Sequence, residues 1–290
     1  MSKSLAKLAD ALADLGFPIS PKTVARLLKK LKFSRQVNRR SIAGKQDPDR
    51  NKQFEYIQKQ LRKAERKGQP AVSIDSKKRE AVGLFHNAGS DYRPQGDPIR
   101  VKDHDFVKKN GLKVTPYAVF CMSINMAWVS VGISANTAEF AVETIRRWDI
   151  NIGAENFPGY FELTVAADSG GSNGKHVYLF KAELQKLADE LGVKIHVHHY
   201  PSGTSKHNKV EHQCLCYISQ NWRGEPLNDL ETVVQRIGAT TTKTGLKIKC
   251  EVDRNEYLTG IKITKEEMST WNIKGHKFRP DLNYTISPRV

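Results

Sequence analysis

The sequence predicts an α/β protein: a mixed sheet with flanking helices, preceded by a small helical segment. Three observations predict it. Apolar residues recur at helical spacing as far as Leu61, then switch after Pro70 to the short apolar runs that buried strands carry. Those runs alternate with amphipathic stretches of helix length, which adds parallel strands to a sheet. The basic charge is concentrated at the front, where residues 1–70 hold 18 Lys and Arg against 6 Asp and Glu in a 290-residue chain of formal charge +16.

Taken in order, SLAKLADALADL spaces Leu5, Leu8, Ala9, Leu12 and Leu15 along one helical face, and Gly16 stops that helix. Ser20 is placed to cap a second helix with Pro21 at its first position and a stripe of Val24, Leu27, Leu28 and Leu31. This second helix is basic, with Lys22, Arg26, Lys29 and Lys30, and KFSRQVNRR after it adds Arg39 and Arg40. Two short helices around a tight turn read as a helix-turn-helix, and an ordinary helical hairpin would read the same way. Residues 1–40 are therefore expected as a helix-turn-helix-like segment. Residues 41–69 form a basic linker helix with Phe54, Ile57 and Leu61 on one face.

After Pro70 comes AVSIDSKK, a strand ending at Asp75, and then a Gly, Pro and Asp-rich excursion over 84–112. VTPYAVFCMSIN and MAWVSVGIS are two strands joined near Asn125, followed by a helix capped by Asn136 or Thr137. FELTVAADSGG is a buried strand ending at Asp168; a helix over about 176–191 stops at Gly192; VKIHVHHY is the next strand; about 206–222 is helical. This order is the ribonuclease H-like succession, an antiparallel start with parallel additions, expected over 70–225. Residues 226–290 read as an extension packed on the core. LKIKCEV and GIKITKEEM there suggest two strands and a capped helix start, with Trp271 and Tyr284 as packing anchors.

Composition excludes several classes. No apolar run reaches the roughly 18 residues a membrane span needs, and the N-terminus lacks the h-region of a secretory signal, so the expected location is the cytosol with no membrane partner. The four cysteines form no C-x-x-C pair and no disulfide framework. The front-loaded positive charge points to nucleic acid.

Carboxylates at strand ends carry the chemistry. An ionised side chain is costly at the end of a buried strand unless something pairs with it. Either Asp75 or Asp168 alone could cap a turn; at the tips of strands that neighbour each other in this topology they point at one place. Glu211, from the helix after the last core strand, faces the same edge. Three oxygen donors suit two hard divalent cations, Mg²⁺ or Mn²⁺, which at roughly 3.5–4 Å apart serve phosphodiester chemistry. Nearby, Lys77, Lys78 and the loop carrying Gly170, Gly171 and Asn173 can approach phosphate, and Asn208 lies three residues before Glu211 on the same helical face.

The motifs SIDSKK, AADSGGSNG, HHYPSGTSKHNKVEH and NWRGEPLNDLETVVQRIGATTTKTGL resemble the Rhodopirellula-type DDE transposases of bacterial insertion sequences, relatives of the mariner and retroviral integrase superfamily. The resemblance spans nearly the whole chain. It implies that Asp75, Asp168 and Glu211 are the catalytic triad, that Asn208 is the Asn before the last acid, and that the enzyme cuts at element ends and joins them to target DNA. It also implies double-stranded DNA and a homodimer or larger assembly as partners, in a bacterial, nucleoid-associated setting. Two features depart from the family pattern. His207 stands where relatives tend to have an aromatic, and the chain begins inside what looks like a longer recognition region, so weakened end recognition is expected.

Three other readings compete. The His and Cys run of residues 194–216 suggests zinc, but alternation in VKIHVHHY accounts for His196 and His198, and the spacings fit a tetrahedral site poorly. His199 or His212 remains open as an aid to phosphate or proton handling. A tyrosine or serine recombinase would need an activated hydroxyl supported by arginines, and Tyr200, Tyr217 and Tyr257 show no such constellation. A truncated or decayed transposase that only binds DNA is the alternative function.

Overall fold

The computed structural model describes residues 4–36, 48–104, 111–201, 204 and 207–289. The chain divides into two compact units, residues 1–45 and 46–290.

In the first unit, α1 (Leu5–Asp14) and α2 (Pro21–Lys30) form where the caps direct. Ser4 accepts from the Lys7 amide and Ser20 from the Thr23 amide, both at 3.2 Å. Gly16 turns the chain at φ 88°, a conformation its missing Cβ allows. Ala9 and Val24 are buried, and Lys22, Arg26, Lys29 and Lys30 face solvent. Arg39 and Arg40 lie outside the described residues.

The second unit is built on a nine-stranded sheet. Its strands are β1 (Ala71–Ser76), β2 (Glu80–Ala81), β3 (Lys113–Cys121), β4 (Met126–Gly132), β5 (Glu162–Ala167), β6 (Lys194–His199), β7 (Lys247–Asp253), β8 (Ile273–Gly275) and β9 (Asn283–Ile286). The order is β7-β4-β3-β1-β5-β6-β9-β8, with β2 paired to β3 off this path. At its centre, β1, β3 and β4 are an antiparallel run, and β5 and β6 add parallel to β1. That inner five is the ribonuclease H-like order expected from the sequence.

Helices cover both faces. α3 (Arg50–Arg66) packs Ile57, Leu61 and Ala64 against Ala71 and Ala166 of the sheet. α4 (Ala138–Trp148), continued by a π-helical turn over Asp149–Gly153 and by α5 (Ala154–Asn156), shares the opposite face with α6 (Tyr178–Leu191) around Phe140, Trp148, Phe180 and Leu184. Thr137 caps α4, and Gly192 at φ 66° ends α6. A π-helical turn over Glu211–Leu215 leads into α7 (Cys216–Asn221), which packs with α8 (Leu230–Gly238) over β3 and β4. No helix among the described residues is long and apolar enough to cross a membrane.

The C-terminal residues enter the sheet itself. β7 pairs parallel with β4 at one edge, and β9 pairs antiparallel with β6 at the other. GIKIT, expected as a strand, is irregular up to Thr264, which caps the short α9 (Lys265–Ser269). Its Ile-Lys-Ile alternation fits a strand, but the place beside β6 is taken by Asn283–Ile286, and a strand needs a paired neighbour to bury a face. Tyr284 is the anchor expected of it, 2% exposed, whereas Trp271 is half-buried.

Candidate active site

β1 and β5 are parallel neighbours, in register from Ala71 with Thr164 to Ile74 with Ala167. Asp75 and Asp168 are each the next residue, so backbone pairing brings the two acids to one rim. Both sit on the face occupied by α3, because Ala71, Ser73 and Ala166 alternate onto it. Glu211 opens the π-helical turn above the same rim.

A buried polar chain fixes this corner. Ser73, fully buried in an otherwise apolar strand, donates to Asn208 Oδ1 and accepts from the Val210 amide at 3.2 Å. Asn208, also fully buried, donates to the Ile74 carbonyl at 3.0 Å and reaches Asp75 Oδ2 at 3.4 Å. Two strand residues thus anchor the start of the helix that carries Glu211, and Asn208 joins that helix to Asp75. On the far side Asn136 donates to Ser76 Oγ at 3.0 Å and accepts from Ser172 at 3.1 Å, tying the end of β1 to the loop after β5.

The charges are poorly compensated. Among the described residues none of Asp75, Asp168 and Glu211 is ion-paired. Burial pushes the Asp75 carboxyl up to about 7; the Asp168 charge adds to the rise and Glu211 adds less, against the lowering effect of the Ser76 amide and Asn208. Burial also raises Asp168, although the Gly170 amide and Asn173 act to lower it. The repulsion belongs to the pair, since ionising either carboxyl holds the proton on the other. Neither Gly170 nor Asn173 gives Asp168 Oδ1 a well-formed hydrogen bond: among the described residues that atom is buried without a partner, as are Asn173 Nδ2 and the Tyr117 hydroxyl. Burial drives the Tyr117 hydroxyl well above its ordinary range, with the charges of Asp75 and Asp168 adding to it.

Hard oxygen donors, excess negative charge and an orphaned carboxylate oxygen fit a divalent cation. The third acid is not already drawn in: among the described residues no group of three or more His, Cys, Asp and Glu side chains converges closely enough to hold a metal ion.

The other expected residues fall in different places. Gly170 and Gly171 are exposed on the loop after Asp168, and Gly171 has φ 64°. Lys78 is exposed, whereas Lys77 is held by Glu80 and lies 4.7 Å from the centre of the Trp222 ring. His212 is exposed on the turn of Glu211, where its carbonyl accepts from Cys216, and Cys214 is buried.

The histidine run resolves into support for the sheet. His196 bonds Thr285 and His198 bonds Asn283, at 2.8 and 2.9 Å across the β6–β9 pair. His199 is fully buried and cannot meet phosphate directly. Its Nδ1 donates to the Asp168 carbonyl and its Nε2 accepts from the Tyr284 hydroxyl, both at 3.0 Å. His207 packs its ring 4.4 Å from that of Phe54, the contact an aromatic would make. Ser73 and Tyr117 carry no expectation from the sequence, and Asn136 only that of a helix cap. Ser73 alone carried a signal, a hydroxyl inside an apolar strand that has to find a partner.

A family model described as the Rhodopirellula transposase DDE domain matches residues 1–288. No curated protein sequence matches the chain. Among solved structures it is similar to the Mos1 transposase paired-end complex with left transposon end, at 12% identity and a TM-score of 0.49, over 81% of this chain and 65% of that one. A Mos1 mariner paired end complex with Mn is similar at 11% identity and 0.48, with the same coverage. The chain spans about 65% of the length of these solved chains. The strand order by itself gives the ribonuclease H-like fold.

Proposed function

The chain belongs to the Rhodopirellula DDE transposase family, and from that premise we propose that it is a divalent-cation-dependent polynucleotidyl transferase of a bacterial insertion sequence. Water attacks the phosphodiester at the element end and breaks the P–O3′ bond, which frees a 3′-hydroxyl. That hydroxyl attacks a target phosphodiester in line; one P–O bond forms as another breaks, and no protein–DNA bond is needed.

One observation carries the reading: two carboxylates, half-buried on adjacent strand ends, repel each other with no ion-pair partner among the described residues. Asp75 and Asp168 would hold two Mg²⁺ or Mn²⁺ ions, with Glu211 completing one shell. When bound, such ions neutralise the charge that develops on the attacking and leaving oxygens. Asn208 fixes the rotamer of Asp75, and His199 fixes the backbone of Asp168. The exposed loop of Gly170 and Gly171 leaves backbone amides open to phosphate.

Residues 1–40 would grip DNA through Lys22, Arg26, Lys29 and Lys30, mostly by phosphate contacts and therefore with strong salt dependence. Residues 70–225 would be the catalytic domain and 226–290 its extension, acting as a homodimer or larger assembly on paired ends. The test is Mg²⁺- or Mn²⁺-dependent nicking of duplex DNA that carries the element's ends. Activity that survives intact in Asp75→Asn and Asp168→Asn rejects the triad. Salt-sensitive binding with no cleavage under either metal would leave a protein that only binds DNA.

A further inference from the structure

A second polar cleft lies at the opposite end of β5 from Asp168. It is a cavity of about 460 Å³ between the C-terminal half of α3 and the β8–β9 hairpin. Lys63 and Lys67 stand on one wall and Lys274 and Lys277 on the other, over a floor that includes Tyr56 and Thr285. Glu162 is the acid in it, and Lys67 holds that carboxylate at 3.1 Å with His196 at 3.9 Å. Lys63, Lys274 and Lys277 are exposed and have no carboxylate within 4 Å among the described residues. From this we infer that the cleft is a DNA-backbone site, which takes phosphates of a duplex at a distance from the carboxylate rim.

Basic residues in the last turn of α3 could serve only to complement the helix dipole. Lys274 and Lys277 come from a different element, where no helix end of their own calls for a cation, yet they line the same cavity. The cations also run on outside the cavity, where Lys59, Arg62 and Arg66 border another cleft along the same helix. Positions 59, 62 or 63, and 66 or 67 recur about every 6 Å along the helix. A line of positive charge suits a polyanion better than a compact ligand. Tyr56 is not free to stack on a base either, because its ring is already packed on Phe278 and edge-on to His198.

The spacing to the rim is also informative. Six residues of strand separate Glu162 from Asp168, about 20 Å at the rise of a β-strand. A duplex lying along α3 from the rim would reach the cleft after roughly six base pairs. This rests on the DNA reading of the family but not on the chemistry of Asp75 and Asp168.

The test uses the full chain in EDTA, so that no cleavage occurs, with a fluorescently labelled 30-base-pair duplex of arbitrary sequence titrated across a salt series. The Lys274→Gln/Lys277→Gln variant should bind about tenfold more weakly at 50 mM salt and lose about two from the slope of log K against log salt. Lys63→Gln should lose about one. Lys186→Gln on α6, a lysine whose side chain is 59% exposed, should change neither. Unchanged affinity and slope in both cleft variants, with wild-type binding intact, would overturn the site alone. Equal loss in Lys186→Gln would also overturn it, by reducing the effect to net charge. A wild-type chain that binds no duplex would overturn the site and the DNA reading together.

Discussion

Asp253 and the pair Asp75 and Asp168 all stand at strand ends, and the molecule treats them in opposite ways. Asp253 closes β7 with its side chain fully buried, and three groups meet it: Arg147 at 3.2 Å, the Asn255 amide at 2.9 Å and the Tyr257 hydroxyl at 2.7 Å. Asp75 has the Ser76 amide at 2.7 Å and a long contact from Asn208, and Asp168 keeps an orphaned oxygen. A buried carboxylate with a cation and two donors is structural; one without them costs stability until something positive arrives. In sequence the three are alike in position, each an acid at the end of a strand-forming run, although the run before Asp253 alternates Lys and Glu with its apolar residues. The difference lies in what the remote chain brings to them.

The comparison breaks most sharply on substitution. Asp75→Asn or Asp168→Asn should lower metal-dependent nicking by about a thousandfold or more, with no loss of stability in EDTA. Asp253→Asn should do the reverse, costing about 3 kcal/mol in denaturant unfolding because the buried half of the Arg147 pairing is lost and only Glu143 remains to it, while the nicking rate per folded molecule stays within a fewfold. Matching losses at Asp253 and Asp75 in both assays would erase the distinction.

A smaller effect lies in the pH dependence of stability without divalent cations. Asp75 has its folded pKa raised to about 7, so its contribution is fully present below the unfolded value near 4 and is lost as pH rises through 7. His198 and His199 act on the acid side, because burial lowers them to about 3 and about 4. Their contribution is present above about 6.5 and lost as pH falls toward 4. Thermal melts in EDTA should therefore peak at weakly acidic pH, and Asp75→Asn should flatten the alkaline decline and leave the acid one.

Next in size is the cation itself. At pH 8, millimolar Mg²⁺ should raise the Tm of the wild-type chain by a few degrees, since a ligand that binds only the folded state stabilises it. It should leave Asp75→Asn and Asp168→Asn unmoved and should still stabilise Asp253→Asn. The smallest change is expected from Tyr257→Phe. Removing one hydroxyl from Asp253 should cost about 1.5 kcal/mol and leave nicking untouched.

Much of the fold could be read along the chain because its determinants are local. Ser20 and Pro21 start α2, Gly192 ends α6, and short apolar runs mark β1, β3, β4 and β5. At the C-terminus this logic weakened. Nothing local distinguishes Gly260–Thr264, which is irregular, from Asn283–Ile286, which is a strand, because only the empty edge of β6 selects between them. The histidines of β6 were similarly ambiguous until Thr285 and Asn283 arrived beside them from β9.

Local sequence sets which residues can be strands and helices, where the acids fall at the ends of those elements, and how the basic charge is distributed. Those properties depend on backbone propensity, side-chain period and ionisation, all encoded within a few residues. Only the tertiary structure decided that Asp253 would be neutralised and that Asp75 and Asp168 would not, and that Lys274 and Lys277 would face Lys63 across a cleft. The energy of a charge is set by what lies within a few ångströms of it in space, and the groups that settle these cases are up to about two hundred residues away in the chain.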